Sequence, residues 1–444
     1  MKSDASRRAI IVGGGYSGTM AAAELARRGI ASLLIEGGGR AGRGTAYSTI
    51  EPAHLLNVPA AKMSAWANAP DDFVDQGHQP GEFVQRLKFG TYLKAILDEA
   101  VAGGHVEIAK ACAVAAEPRG DGWLVTLDDG RQVEAAALVL AIGNQPPEPM
   151  AVGDRVSIER FVNNPWREEA AAAVARLAEQ GGGALILGTG LTMVDMVLSL
   201  DEAGHKGRIL ALSRRGQIPR AHAAYEPVPA ELDEVPLGNV LALWRWLRRR
   251  SAGVGWRAAV DALRPHSHAI WRGLDDVQQR RFLRHARPWW DVHRHRIAPQ
   301  VAERLRVMVA DGRLEILAGR VSRMSEERNG LVVEICRRGR PSTASGTNGS
   351  KSQQTFAAAF NCTGPLGSMV RTRDPLLRRM IDDRLIAVDR LGMGIEVDES
   401  SRAAPRVWAL GPLTKGAYWE VVAVPDIRGQ VRDVADAIAK ELQA

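Results

Sequence analysis

The stretch AIIVGGGYSGTMAAAELARRG, residues 9–29, runs from apolar residues through closely spaced glycines into a string of helix formers. Arg8 to Val12 form a short apolar run suited to a strand buried on both faces. Gly13, Gly15 and Gly18 follow in GxGxxG spacing, and the chain continues as a helix. In such a unit the first glycine permits a tight turn and the second lets the backbone approach a pyrophosphate. The third lets helix and strand pack closely. The helix N-terminus, where Tyr16 and Ser17 stand, supplies the positive end of the helix dipole. A second apolar strand, ASLLIE (31–36), ends in Glu36. A carboxylate there can accept hydrogen bonds from both hydroxyls of an adenosine ribose and would repel a 2′-phosphate. This loop is expected to hold FAD or NAD, not NADP.

A second stretch of the same shape lies at 184–195, ALILGTGLTMVD. Gly188 and Gly190 follow its strand, and LTMVDMVLSLDEAG (191–204) has the apolar spacing of a helix, with Thr192 in its first turn. The third glycine position is Met193, so helix and strand are expected to pack less closely here. The next strand, RILALSRRG (208–216), ends in Ser213, Arg214 and Arg215. Guanidinium groups suit a ribose 2′-phosphate through bidentate, charge-assisted hydrogen bonds. One loop avoids a 2′-phosphate and the other invites one. The first is therefore expected to hold a flavin nucleotide permanently, and the second to bind NADPH transiently as hydride donor.

Residues 106–144 read as three or four strands with a tight Asp129-Gly130 turn, ending in a buried strand that stops at Gly143. At 444 residues, two or three domains are expected. No apolar run is long enough for a bilayer, and the N-terminus has no export-signal pattern, so a cytoplasmic protein is expected. Cys112, Cys336 and Cys362 form no CxxC pair and no metal-ligand spacing, which fits free thiols in a reducing compartment. The net charge of +7 is mostly arginine spread over helices, without a basic tail. It reads as solvated surface and not as a nucleic-acid site.

The sequence resembles the two-dinucleotide-binding-domain flavoproteins, the group holding glutathione-reductase-like enzymes and flavin monooxygenases. More narrowly it resembles a bacterial branch of FAD/NAD(P)-binding oxidoreductases. The residues carrying the closer likeness are 42–66 (GRGTAYSTIEPAHLLNVPAAKMSAW), 83–93 (FVQRLKFGTYL), LGTGLTMVD, LSRRGQIPRAH (212–222), PWWDVHRHRIAP (288–299) and 408–430 (WALGPLTKGAYWEVVAVPDIRGQ). The resemblance implies an α/β protein with two Rossmann-like, glutathione-reductase-type domains and an inserted helical segment. FAD would lie on 1–150 plus 355–444, with AAAFNCTGPLG (357–367) returning the chain to it. NADPH would lie on 151–224 plus 300–354. It also places Arg43, Val114, Gly143, Gly411 and Ile427 around FAD, with Gly411 near the isoalloxazine. The stretch HLLNVPAAKMS would pass the flavin ring, with Asn57 and Ser64 as hydrogen-bond donors and His54 as a proton relay or a structural residue.

Residues 225–299 lose their strand signals and read as helices rich in tryptophan (Trp244, Trp246, Trp256, Trp271, Trp289, Trp290). This segment is expected to pack over the cofactor cleft or to mediate self-association, making a homo-oligomer an open expectation. Residues 337–354 read as a mobile hairpin loop. His285, His293 and His295 alternate with arginines and are not expected to bind metal. Arg294 and Arg296 read as anion contacts or interdomain pairs.

Disulfide-reductase chemistry needs a cysteine pair beside the flavin, and this sequence has none. The segment before the second loop, FVNNPWREE (161–169), has Phe161 and Trp166 but lacks the glycine and histidine of the FxGxxxHxxxW fingerprint typical of Baeyer–Villiger and N-oxygenating enzymes, which counts against membership of that group. A flavin monooxygenase requires no protein nucleophile, so the lack of a Ser/His/Asp set does not count against one. The expected activity is an FAD-dependent, NADPH-using oxidoreductase, with monooxygenation of a small organic or amine substrate foremost. Electron transfer to a partner protein is the second reading, and a non-catalytic flavin-binding sensor the third.

Overall fold

The computed structural model describes residues 8–150, 156–337 and 351–443. The core of the expected hairpin loop at 337–354 lies outside the described residues; its last residues begin the strand Lys351–Phe356. The chain forms two compact units, one of residues 1–145, 226–285 and 368–444, the other of 146–225 and 286–367.

The first unit is built on a six-stranded sheet ordered Arg402–Ala404, Val407–Ala409, Ala137–Leu140, Arg8–Val12, Ala31–Ile35, Val106–Ala109. All neighbours are parallel except the outermost pair of 402–404 with 407–409. The central strands are nearly continuous in Ile, Leu, Val and Ala and fully buried, as a sheet covered on both faces requires. The helix Tyr16–Arg27 packs against the helices Arg86–Ala102 and Val424–Gln443 in one core layer. A three-stranded antiparallel meander, Ala113–Arg119, Gly122–Leu127 and Gln132–Ala135, covers the other face with the helix Pro375–Asp382. The expected turn is there: Gly130, at φ +84°, donates to the Leu127 carbonyl at 3.0 Å.

The second unit has a seven-stranded sheet ordered Lys351–Phe356, Gly330–Arg337, Leu314–Glu327, Ile209–Ser213, Ala184–Leu187, Ala358–Asn361, Phe161–Val162. From Leu314–Glu327 to Phe161–Val162 the neighbours are parallel; the first two pairings are antiparallel.

Two expectations about chain order are corrected. Ala358–Asn361 does not return the chain to the first domain at 355. It pairs in parallel with Ala184–Leu187 and Phe161–Val162, so the second unit runs on to Gly367. Three buried apolar positions and the buried Asn361 need a covered sheet interior, and this slot supplies it. Nor is 225–299 a separate piece: residues 226–285 belong to the first unit and 286–299 to the second. Tertiary contacts decide that, and helical periodicity does not reveal them.

Candidate functional site

Gly13 sits at φ +106°, and a Cβ on it would lie 2.5 Å from the Ala141 carbonyl oxygen. Its N–H donates to the Ile35 carbonyl at 2.9 Å, so the loop threads between the ends of two neighbouring strands. At Gly18 a Cβ would fall 1.8 Å from the Gly13 carbonyl oxygen, a space closed to every other residue. Gly15 is the extended N-cap of the helix Tyr16–Arg27 and carries no side-chain cap, which leaves the first-turn N–H groups for an anion. The segment carrying Arg43 lies against this loop. Gly42 donates to the Gly14 carbonyl at 3.0 Å, and a Cβ at Gly44 would come within 2.6 Å of Gly15 Cα.

The half-buried Glu36 carboxylate accepts from the Gly14 N–H at 2.7 Å and the Gly38 N–H at 2.8 Å. Those bonds fix its orientation and leave further lone pairs for ribose hydroxyls. Val114 is the extra residue of a β-bulge between Ala113 and Ala115. Gly143, at φ +76°, ends the strand Ala137–Leu140 with no crowding of its Cα.

Gly411, Ser17 and Ile427 converge from distant parts of the chain. Gly411 adopts φ +63°, and a Cβ there would lie 2.8 Å from Ser17 Oγ and 3.5 Å from Ile427 Cδ1. Its N–H donates to Gln430 Oε1 at 2.8 Å. Nothing in the sequence around Gln430 pointed to this role. Tyr16 is buried, and its hydroxyl donates to the Ala65 carbonyl at 2.9 Å. Burial raises its pKa, with Tyr47 adding to the rise, so it stays a neutral donor.

The stretch expected to pass the flavin ring joins this cluster. Arg428 donates to the Ser64 carbonyl at 3.4 Å, and Ala65 holds Tyr16, so residues 64–65 lie by the starts of two helices. The Ser64 hydroxyl is wholly buried, donates to the Ala69 carbonyl and accepts from the Trp66 N–H at 3.2 Å. It holds a turn and presents no surface to a ligand. His54 is buried with Nδ1 2.9 Å from Thr49 Oγ1, and its carbonyl accepts from Arg86 N–H at 2.9 Å, a structural setting. Asn57 is half-buried in the same stretch.

The second loop repeats the first in outline. Gly188 sits at φ +110°, a Cβ on it would lie 2.1 Å from the Cys362 carbonyl oxygen, and its N–H donates to the Leu212 carbonyl at 2.8 Å. Gly190 is the extended, uncapped N-cap of the helix Leu191–Glu202, with Thr192 half-buried in the first turn. Met193 is fully buried where the first loop has Gly18. Ser213 is taken up by the fold, lying 2.8 Å from Thr189 Oγ1 and accepting from the Gly216 N–H at 3.0 Å. Thr189, which also donates to the Gln217 carbonyl, ties the glycine loop to the turn carrying the arginines. Its place between two glycines was the only hint of that. Arg214 is exposed and Arg215 half-buried, and among the described residues neither has an ion pair or hydrogen-bond partner.

Arg296 is buried, its Nε donates to the His293 carbonyl at 2.8 Å, and its guanidinium lies 5.9 Å from the Tyr225 ring centroid. His293 Nδ1 donates to the Trp289 carbonyl at 2.8 Å, inside the helix Arg287–Arg294. Arg294 is half-buried at the end of that helix.

Comparison with known proteins agrees with this architecture. The family described as FAD-NAD(P)-binding matches residues 10–145. Among solved structures, the chain is similar to ornithine hydroxylase from Pseudomonas aeruginosa, 16% identical with a TM-score of 0.63 over 98% of this chain and 99% of that one. It is similar to L-lysine 6-monooxygenase from Pseudomonas syringae, 15% identical with a TM-score of 0.64 over 97% and 99%. Thioredoxin reductase from Lactococcus lactis aligns at 12% identity with a TM-score of 0.54 over 98% and 99%. No curated protein matches the sequence. The chain has the fold of the two-dinucleotide-binding-domain flavoproteins.

Proposed function

We propose that this protein is an FAD-dependent oxidoreductase reduced by NADPH, and that its reaction is monooxygenation of a small organic or amine substrate. The observation that carries the cofactor pair is the contrast between two loops of one construction. Each seats a positive-φ glycine against a carbonyl oxygen and opens an uncapped helix N-terminus. One ends its next strand in Glu36 and the other in Arg214 and Arg215. Gly13, Gly15, Gly18 and Glu36 hold the adenosine diphosphate half of FAD, with Ser17, Gly411 and Ile427 at the far end of the loop. Gly188, Gly190 and Thr192 hold the NADPH pyrophosphate, and Arg214 and Arg215 its 2′-phosphate. FAD supplies two-electron redox chemistry when bound.

Monooxygenation is supported by the fold likeness to an ornithine hydroxylase and a lysine monooxygenase over nearly the whole chain. An ornithine N-hydroxylase from Kutzneria, also of this fold, is described with reduced FAD, NADP+ and L-ornithine. The three cysteines are free, and Cys362 is buried with its thiol pushed up by burial and the nearby Asp195, which suits no dithiol relay. The test is anaerobic addition of NADPH to the flavin-loaded protein while the visible flavin band is followed, then admission of oxygen with candidate amines. Bleaching and substrate-coupled oxygen uptake support the reading. Bound flavin that NADPH leaves oxidised overturns it.

A further inference from the structure

Asn361 is wholly buried at the end of the strand Ala358–Asn361, and its amide is fully engaged. Its Nδ2 donates to the Glu148 carbonyl at 3.0 Å and to Asn163 Oδ1 at 2.9 Å. Its Oδ1 accepts from the Thr363 N–H at 3.3 Å and from the Thr363 hydroxyl at 2.7 Å. These partners fix which way the amide points, since the Glu148 carbonyl can only accept and the Thr363 N–H can only donate. The Thr363 hydroxyl therefore faces an oxygen and gives its hydrogen to it. What the hydroxyl has left is lone pairs, and Thr363 is exposed. It offers solvent an acceptor and no donor.

Thr363 also stands at the second glycine loop. A Cβ on Gly188 would lie 3.1 Å from the Thr363 nitrogen, beside the Cys362 carbonyl that closes off that position. Leu212, Leu187 and Asn361 are in register on three neighbouring parallel strands, so the carboxyl ends of those strands are level. Beyond the first lie Arg214 and Arg215, beyond the middle one Gly188 and Gly190, and beyond the third Thr363. A dinucleotide in the crevice outside the carboxyl ends of a parallel sheet lies along such a row. With its 2′-phosphate at the arginines and its pyrophosphate at the glycines, its other half comes to the Thr363 end.

From this we infer that Thr363 binds the nicotinamide riboside half of NADPH by accepting a hydrogen bond from it, and that Asn361 is the positioning residue that commits the hydroxyl to accepting. The groups of that half able to donate are the carboxamide NH2 and the ribose hydroxyls. The inference rests on the proposed NADPH site of the second unit.

The experiment titrates NADP+ and two probes into the full-length protein: adenosine 2′,5′-bisphosphate, which lacks the nicotinamide riboside, and the acetylpyridine analogue of NADP+, which lacks the carboxamide donor. Thr363→Val should melt within a few degrees of wild type, because the backbone N–H still reaches Asn361. It should bind NADP+ roughly 5- to 20-fold more weakly. Its affinity for the bisphosphate should stay within about twofold, and Thr363→Ser should restore NADP+ binding. Asn361→Leu should melt lower and also lose NADP+ relative to the bisphosphate, a ratio that a merely structural residue would not move. An unchanged ratio in Asn361→Leu overturns its positioning role. A Thr363→Val protein that binds NADP+ as wild type does, or that loses both ligands equally, overturns the inference alone. The analogue tells the two donors apart. If wild type binds it as weakly as Thr363→Val binds NADP+, the donor is the carboxamide; if it binds undiminished, the donor is a ribose hydroxyl. A wild-type protein that binds neither NADP+ nor the bisphosphate defeats the NADPH reading itself, and this inference with it.

Discussion

At the scale of single residues, the glycines and charges of the two loops have separable consequences. Gly18 leaves 1.8 Å between a would-be Cβ and a backbone oxygen, which no side-chain movement can relieve. Gly18→Ala should lower stability by about 1–3 kcal/mol by over-packing and weaken FAD binding, measured by denaturant titration and flavin retention. The matching position in the second loop carries Met193, whose side chain is fully buried there. Arg214→Glu puts a carboxylate where a 2′-phosphate is expected. NADPH binding should weaken roughly 10- to 100-fold while NADH is little changed, read by titration of both nucleotides. An unchanged preference would remove Arg214 from the site.

At the scale of elements, the second unit is held by an ion cluster as well as by its sheet. Asp201, near the end of the helix Leu191–Glu202, accepts from Arg313 at 2.7 Å and from Arg304, which also reaches Glu202. Arg313 leads into the strand Leu314–Glu327, and Arg304 lies on the helix Pro299–Ala310. Burial raises the Asp201 pKa, but hydrogen bonds from Arg313 and Arg304 outweigh it, and the net shift is below the ordinary 3.8. A carboxylate with a lowered folded value stabilises fully above its unfolded value, and that contribution is lost as pH falls through the folded one. Wild-type stability should therefore carry a component that disappears only below about pH 4. Asp201→Asn should lack it and lose about 1–2 kcal/mol at neutral pH, measured by urea unfolding across pH. The glycine loops, strands and long helices were legible here because each writes its own period. The strand Ala358–Asn361 was legible as a strand but not as to which sheet it joins, because short apolar runs fit any covered slot.

At the scale of the whole molecule, ligands that bind only the folded state must stabilise it by mass action. FAD at about 100 times its dissociation constant should add about 2.7 kcal/mol, and a thermal shift of several degrees should accompany it. Among the described residues no helix is long and apolar enough to cross a membrane.

The sequence by itself determined the class of fold, the two nucleotide loops and the charge that distinguishes them. These depend on residues within some thirty positions of one another, where glycine spacing and strand–helix periods act locally. Only the tertiary structure decided that residues 226–285 join the first unit and 286–299 the second, and that Ser64 and Ser213 serve the fold. It alone brought Ser17, Gly411, Ile427 and Gln430 together and set Thr363 beside Gly188. Those contacts join residues tens to hundreds of positions apart. Hydrophobic burial and hydrogen-bond satisfaction select them in three dimensions, and no local pattern records the choice.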